Sequence, residues 1–123
     1  MNESPIELTE DDNVFLLSWE EVHKKSMLTF WVLQYLSQTE LSASELYEKL
    51  SHDQVEVNEH SLYRMLRRFY DIDLIDQTSR EGKVKYYRLS DKGRRILAAF
   101  TQNNIHPLYQ LAATKGTTYE SHR

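Results

Sequence analysis

Basic and hydroxyl-bearing side chains cluster in two short stretches of this 123-residue chain. The first stretch carries an imidazole, two hydroxyls and three guanidinium groups, and the second carries three more bases. Guanidinium and ammonium groups neutralise phosphate, and an arginine fork also matches two acceptors on the edge of a guanine. The chemistry that such a set supports is binding of a polyanion. Its members are His60, Ser61, Tyr63, Arg64, Arg67 and Arg68, then Arg80, Lys83 and Lys85.

The distribution of charge favours the same interpretation, although the net charge at pH 7 is −4. Residues 1–21 hold seven acids and no base, whereas residues 60–100 hold ten bases and five acids. A basic surface that is segregated from an acidic remainder is typical of proteins that bind nucleic acid. A solvated charged surface without a partner is the alternative that composition leaves open.

The first basic stretch is predicted to lie on a helix over residues 58–70. Asn58 can cap this helix, because a short polar side chain accepts from the first free backbone N–H groups. Leu62, Leu66 and Phe69 recur at intervals of three and four, so they form an apolar stripe opposite the bases. The helix is therefore expected to bury one face and to present the other.

The second basic stretch is predicted to lie on a hairpin. Its two strands cover residues 74–79 and 84–89, and the loop between them contains Gly82, which can take the positive φ of a tight turn. Because Lys83 and Lys85 lie on this hairpin, helix and hairpin are basic together.

The chain upstream predicts two more helices after an acidic arm, residues 1–17. Ser18 and Glu21 have the spacing of a capping box, which predicts that a helix begins there. Ser42 and Glu45 repeat that spacing and predict a second, short helix. Together with the basic helix, this short helix forms a helix-turn-helix unit with a longer connection than usual.

The chain downstream predicts one last helix, capped by Ser90 and ended by Asn103 and Asn104. We expect a domain over residues 18–102, followed by a short and partly disordered extension over residues 103–123. The predicted fold class is mainly α with a small β-hairpin, arranged as a winged helix-turn-helix domain.

Two motifs give a resemblance to a known family. The residues HSLYRMLRR, from His60 to Arg68, resemble the S-L-Y-x-x-L-x-x-L recognition-helix pattern of PadR-like transcriptional regulators. The residues YYRLSDKG, from Tyr86 to Gly93, resemble the Y-Y-x-L-T-x-x-G junction of that family, whereas Asp73 stands where the family usually has glycine. The resemblance implies a sequence-specific double-stranded DNA-binding protein, most simply a transcriptional repressor.

Base reading is expected from the N-terminal part of the 58–70 helix, since that part of a recognition helix enters the major groove. Arg64 is the first candidate for a guanine edge, with His60 and Ser61 beside it.

The remaining members are expected at phosphates, which set the register of a complex without reading its sequence. On the helix these are Tyr63, Arg67 and Arg68. Two alternatives stay open: Tyr63 covers the edge of the helix, and one of the two arginines pairs with a nearby aspartate. The wing, residues 80–85, is expected at the flanking groove or its backbone, through Arg80, Lys83 and Lys85.

A homodimer is the expected assembly, because one small helix-turn-helix unit contacts too few base pairs to select one site. Aromatic and aliphatic residues surround the first long helix more completely than one small domain can cover. The predicted interface consists of Phe30, Trp31, Tyr35, Ile96, Leu97 and Phe100.

Several classes of function are disfavoured. The chain has no cysteine, and its five histidines are scattered without the spacing of a zinc helix, so we expect no metal, no cofactor and no enzyme. No apolar run is long enough for a membrane, which favours a cytoplasmic protein. A small-molecule effector is unknown. Plasmid partition or replication control, and a winged helix used only for protein interaction, are the alternatives to transcription.

Overall fold

The computed structural model describes residues 5–80 and 82–121. The chain folds as a winged helix-turn-helix domain, so the predicted fold class is confirmed. The elements in chain order are α1 (Glu10–Ser26), α2 (Leu28–Gln38), β1 (Leu41–Ser42), α3 (Ala43–His52), α4 (Glu59–Asp71), β2 (Ile75–Arg80), β3 (Val84–Leu89), α5 (Asp91–Phe100), a π-helical turn (Thr101–Ile105) and α6 (His106–Ser121).

The core lies between α2, α3, α4 and the small sheet. The apolar stripe of α4 is buried as predicted, and it meets leucines that α2 and α3 direct inward. These side chains are removed from water almost completely, which supplies the main driving force for folding. The most deeply buried are Val32, Leu36, Leu46, Leu50, Leu62, Leu66 and Ile75.

The sheet has the strand order β1-β3-β2, and both pairings are antiparallel. Tyr87 lies opposite Leu41 on one side and Gln77 on the other, and it is the buried member of the tyrosine pair. Gly82 has φ +85° at the predicted turn. The sheet joins the wing to the start of α3, which helps to hold the wing against the helix-turn-helix unit.

Three predicted helix caps are confirmed, at Ser42, Asn58 and Ser90. Ser42 Oγ accepts from Glu45 N at 3.2 Å while Glu45 Oε1 accepts from Ser42 N at 3.0 Å, which makes a complete capping box for α3. Asn58 Oδ1 accepts from His60 N at 2.8 Å and from Ser61 N at 3.2 Å. The Asn58 cap therefore occupies the free N–H groups of these two residues at the start of α4.

The predicted helix start at Ser18 is wrong. The first helix is capped nine residues earlier, where Thr9 Oγ1 accepts from Asp12 N at 3.1 Å and Asp12 Oδ2 accepts from Thr9 N at 2.9 Å. Acids at Glu10, Asp11 and Asp12 then occupy the first turn, where the helix dipole stabilises negative charge. This helix ends at Ser26, so the single helix predicted across residues 18–36 is two helices, which are separated at Met27.

The predicted helix end at Asn103 and Asn104 is also wrong. The chain continues through a π-helical turn into α6, where we had predicted a partly disordered extension. Thr101 Oγ1 donates to Leu97 O at 2.8 Å, and Asn104 Nδ2 donates to Phe100 O at 3.2 Å. Polar side chains that bond to the carbonyl four residues earlier often bend a helix, and these two bonds flank and enter the π-helical turn. Residues 122 and 123 lie outside the described part.

The C-terminal end of α4 is closed by a Schellman motif. Leu74 N donates to Phe69 O at 2.9 Å, and Asp73 N donates to Tyr70 O at 3.1 Å. Asp73 has φ +67°, the left-handed conformation that this motif needs at its closing residue. Leu74 is buried immediately afterwards, so the turn directs the chain from α4 back into the core.

The start of α5 bonds to this same turn. Ser90 N donates to Leu74 O at 3.0 Å, and Ser90 Oγ donates to Asp73 O at 2.6 Å and accepts from Gly93 N at 3.0 Å. Lys92 Nζ donates to Ile72 O at 3.0 Å. Three consecutive carbonyls, of residues 72–74, thus receive donors from residues 90 and 92. We refer to this set of contacts, between residues 72–74 and residues 90–93, as the α4–α5 junction.

We predict that Gly93→Ala destabilises the fold. A Cβ at this position would overlap Leu74 O and lie 2.8 Å from Leu89 Cδ1. A backbone oxygen inside the junction cannot move as a side chain can, so we expect the free energy of unfolding to fall by about 1–3 kcal/mol despite the better helix propensity of alanine.

Urea denaturation would measure that loss. The matched control is Gly82→Ala, which has a positive φ but nothing within 4 Å of a new Cβ, so its cost is backbone strain alone. A Gly93→Ala protein as stable as the wild type would contradict the described packing of the junction.

We predict the opposite sign for Asp73→Gly. Glycine adopts a left-handed conformation without the steric cost that a Cβ causes, and the change also removes a negative charge from the negative end of the α4 dipole. The free energy of unfolding should rise by about 0.5–1 kcal/mol, which thermal denaturation can detect. Asp73→Val should lower it, and equal stability of the two variants would mean that φ at this position is not positive in solution.

Candidate nucleic-acid interface

The outer face of α4 brings the predicted helix residues together. Spacings of three and four residues place them on one side, and the buried stripe on the other side fixes the rotation of the helix. All are exposed, and Tyr63 retains 50% of its surface. The exposed set is His60, Ser61, Tyr63, Arg64, Arg67 and Arg68.

Arg67 forms an ion pair on this face. Its Nε lies 3.7 Å from Asp71 Oδ2, one helical turn away, and both side chains are largely exposed. The aspartate alternative that the sequence left open is thus realised at Arg67. Exposed pairs of this kind are worth little, so a phosphate can replace the carboxylate at small cost. Arg68 lies differently, with its guanidinium carbon 5.4 Å from the centre of the Phe69 ring.

Tyr63 interacts electrostatically with a tyrosine of the sheet. Burial raises the pKa of Tyr87 above its ordinary value, and the charge interaction with Tyr63 raises it further. Half of the Tyr63 surface is covered within the chain and half remains available to a ligand, which is compatible with both interpretations of this residue.

The wing presents its bases on two sides. Lys85, Tyr87 and Leu89 are spaced by two residues along β3, so their side chains lie on the same face of the sheet. Tyr87 and Leu89 are buried on this face, and Lys85 is exposed at its outer end. Lys83 lies in the turn and is exposed. Arg80 is the last residue of β2, and its side chain lies outside the described part. On the other face, Arg88 Nε lies 3.9 Å from Asp76 Oδ2.

The predicted dimer residues fall into two groups. The Phe30 and Phe100 rings lie 5.8 Å apart and line a cavity of about 130 Å³ with Ile96. The Trp31 and Tyr35 rings lie 6.1 Å apart on the side toward α3, where Tyr35 Oη donates to Lys49 O at 3.4 Å.

Leu97 needs a correction as an interface residue. It retains only 8% of its surface and belongs to the core of its own chain. Its apolar spacing with Ile96 and Phe100 was read correctly, but the helix turns Leu97 inward and leaves the other two partly exposed.

Sequence reasoning missed a second apolar surface, on the terminal helices. In α1, which is described throughout, no residue is buried, although the helix carries several large apolar side chains. The available signals were the Val14–Leu17 run, which is too short to show a readable period, and the apolar residues after Pro107, for which the sequence predicts one or two helical turns. The exposed residues are Val14, Phe15, Leu17, Trp19 and Val22 in α1, and Leu108, Tyr109 and Leu111 in α6.

Two further features of the described part bear on function. No three histidine, cysteine, aspartate or glutamate side chains in it are grouped so as to hold a metal ion. Among residues 5–80 and 82–121, none of the helices has the length and apolar character that crossing a membrane requires.

Solved structures resemble this fold. A PadR-like transcriptional regulator from Bacillus cereus is 31% identical, with a TM-score of 0.63, over 72% of this chain and 91% of that one. A PadR family transcriptional regulator from Eggerthella lenta is 21% identical, with a TM-score of 0.66, over 89% of this chain and 99% of that one. A PadR family transcription regulator from Clostridium difficile is 18% identical, with a TM-score of 0.61, over 71% and 96%. At such identities the last two support the fold alone.

The family follows from sequence as well as from structure. No curated protein matches this chain significantly. The pattern of the transcriptional regulator PadR-like family, however, matches residues 32–99, more than half of the chain, and this range includes α4, the wing and the junction. These likenesses favour transcription over plasmid partition and over a pure protein-interaction module. The chain therefore belongs to the PadR-like family of transcriptional regulators and is a DNA-binding protein.

Proposed function

We propose that this regulator reads duplex DNA with the exposed face of α4 while the wing contacts the flanking groove or backbone. The observation that carries the proposal is the division of α4, which buries Leu62, Leu66 and Phe69 completely or nearly so and exposes every base on the opposite side. A helix held this firmly can enter a major groove without rearrangement. Repression is the proposed mode, because occupancy of an operator is by itself enough to block transcription.

Arg64 is the proposed base reader. It lies one turn after the start of α4, with His60 and Ser61 toward the N-terminus, in the part of a recognition helix that approaches base edges. Its guanidinium can bond guanine O6 and N7 together.

The other bases of the site are proposed to bind phosphate. Arg67 would exchange its exposed Asp71 partner for a phosphate, while Arg68 and Tyr63 flank it. On the wing, Arg80, Lys83 and Lys85 fill the same role.

The proposal includes no catalysis, no cofactor and a cytoplasmic location. Membership of a family of transcriptional regulators supports each of these statements, since regulators work by binding DNA where the genome is. The proposed function requires neither transport of a ligand nor catalysis.

We further propose that the protein works as a two-fold homodimer. Trp19 in α1 keeps 63% of its surface and Leu108 in α6 keeps 64%, so each terminal helix exposes apolar area that a second copy can cover. The residues that line the small cavity, Phe30, Ile96 and Phe100, would extend the same apolar surface. Two copies double the number of base pairs contacted and place the recognition helices about one DNA turn apart, roughly 34–36 Å.

We predict that Arg64→Ala relaxes the base preference of the protein. Loss of a bidentate contact should weaken binding to the preferred duplex by about 1–3 kcal/mol and leave binding to a scrambled duplex almost unchanged. Fluorescence anisotropy with both duplexes at one salt concentration would measure the two affinities.

The matched controls are Lys83→Ala and Lys85→Ala, which remove a charge from the wing. Each should weaken both duplexes alike and reduce the salt dependence of binding by about one unit of slope. Equal losses on both duplexes for Arg64→Ala as well would show that Arg64 binds a phosphate and does not read a base.

We predict that Trp19→Glu together with Leu108→Glu dissociates the dimer without unfolding the monomer. Both side chains are already exposed in a single chain, so the charges should cost little within the domain and much at an apolar interface. Sedimentation should show a dimer for the wild type and a monomer for the variant at micromolar concentration. The variant should keep its helical signal, and its melting temperature should no longer depend on protein concentration.

The control for this experiment is Val84→Glu, which charges an exposed apolar residue on the wing. It should leave the dimer intact. A wild-type protein that sediments as a monomer and still binds one site tightly would overturn the assembly proposed for this regulator.

A further inference from the structure

The α4–α5 junction contains an exposed lysine whose charge is directed at a helix end. Lys92 Nζ donates to the carbonyl of Ile72, the C-cap residue of α4. A cation at this end of a helix is stabilised by the helix dipole, and a charge-assisted hydrogen bond is stronger than a neutral one. The contact spans twenty residues of sequence, and it adds to the two bonds by which Ser90 already joins the start of α5 to the end of α4.

The opposite end of α4 is held differently. Asn58 caps its own helix, so no donor from another element anchors α4 there through this cap. The tilt of α4 relative to the body of the domain is set by the buried stripe along its length, by the connection from α3, in which Val55 is buried, and by the junction at its C-terminus. A small change in angle at the junction moves the side chains at the start of α4, two to three turns away, by the largest amount.

The helix that carries Lys92 also carries the proposed dimer surface. Asp91 begins a helical segment that runs through the π-helical turn to Ser121, and it includes Ile96 and Phe100. The same helix therefore carries the junction in its first turn and part of the proposed dimer surface one to two turns later.

We infer that Lys92 is a positioning residue for DNA reading: its bond to Ile72 O holds α4 at the angle at which the N-terminal residues of the helix reach base edges. This inference rests on the proposed reading of DNA by α4. Lys92 acts through α4 and contacts no base. Its loss should consequently lower specific binding while non-specific attraction to phosphates persists.

The test compares Lys92→Met, which keeps the length and loses the charge, with Lys92→Arg, which can restore the donor. Affinities for the preferred duplex and for a scrambled duplex are measured at fixed salt. We expect Lys92→Met to reduce the ratio of specific to non-specific affinity about five- to tenfold, and Lys92→Arg to return it to within about twofold of the wild type.

The matched control is Arg95→Met, which removes one positive charge from an exposed position on the same helix. Its ratio should stay unchanged. If Lys92→Met weakened both duplexes equally, Lys92 would be an ordinary phosphate contact, and an unchanged ratio with lower stability would make it a structural residue only. Either result overturns the inference.

A second measurement does not depend on DNA. Hydrogen exchange at the amides of residues 72–74 in the free protein should become faster in Lys92→Met and not in Arg95→Met, because the junction opens more often. Unchanged exchange would overturn the role of Lys92 even if the proposed function held. If Lys92→Met lost sequence preference and Arg64→Ala did not, base reading by Arg64 would be refuted, while the positioning role of Lys92 would still stand.

Discussion

A helix that ends inside a small domain leaves backbone carbonyls that need donors. In this protein the turn that follows α4 supplies donors to Phe69 and Tyr70, and the next helix supplies them to the C-cap residue and the two residues after it. The carbonyls of residues 72–74 bond to Ser90 and Lys92, and Gly93 leaves room for that approach because it has no Cβ. The first strand of the wing, β2, begins directly after residues 72–74, and its second strand, β3, ends directly before Ser90. Recognition helix, wing and C-terminal helix are consequently joined at one place, and their relative positions cannot vary independently.

This junction explains two features of the family motifs in physical terms. The glycine of the Y-Y-x-L-T-x-x-G pattern corresponds to Gly93, which packs directly against the backbone of the α4 end. The position where the family usually has glycine before Leu74 is Asp73, whose φ is +67°. The backbone thus retains a conformation suited to glycine although the residue has changed. Replacement of the family's glycine by Asp73 therefore costs some stability and leaves the backbone conformation unchanged.

Local signals predicted the centre of the chain well. Asn58 and Ser42 cap the helices that they were expected to cap, and β3 has its predicted bounds. Signals of equal local quality failed at both ends: Ser18 and Glu21 match a capping box but lie inside a helix that Thr9 caps, and the helix passes Asn103 without a break. At the centre the buried stripe agrees with the caps. No residue of α1 is buried, and the side chains of α6 that the structure describes are all exposed, so no pattern of burial could decide between competing caps.

The candidate site could be predicted as a set of residues but not as an arrangement. The sequence could not show that Tyr63 interacts electrostatically with Tyr87, that Arg67 rather than Arg68 pairs with an aspartate, or that Leu97 turns inward. The most direct test of the central claim, that α4 reads the major groove, is methylation interference at guanine N7 on a selected duplex. The account predicts interference at guanines in two half-sites about 10–10.5 base pairs apart, because N7 lies in the major groove. Tight, sequence-specific binding that tolerates methylation at every guanine would contradict it.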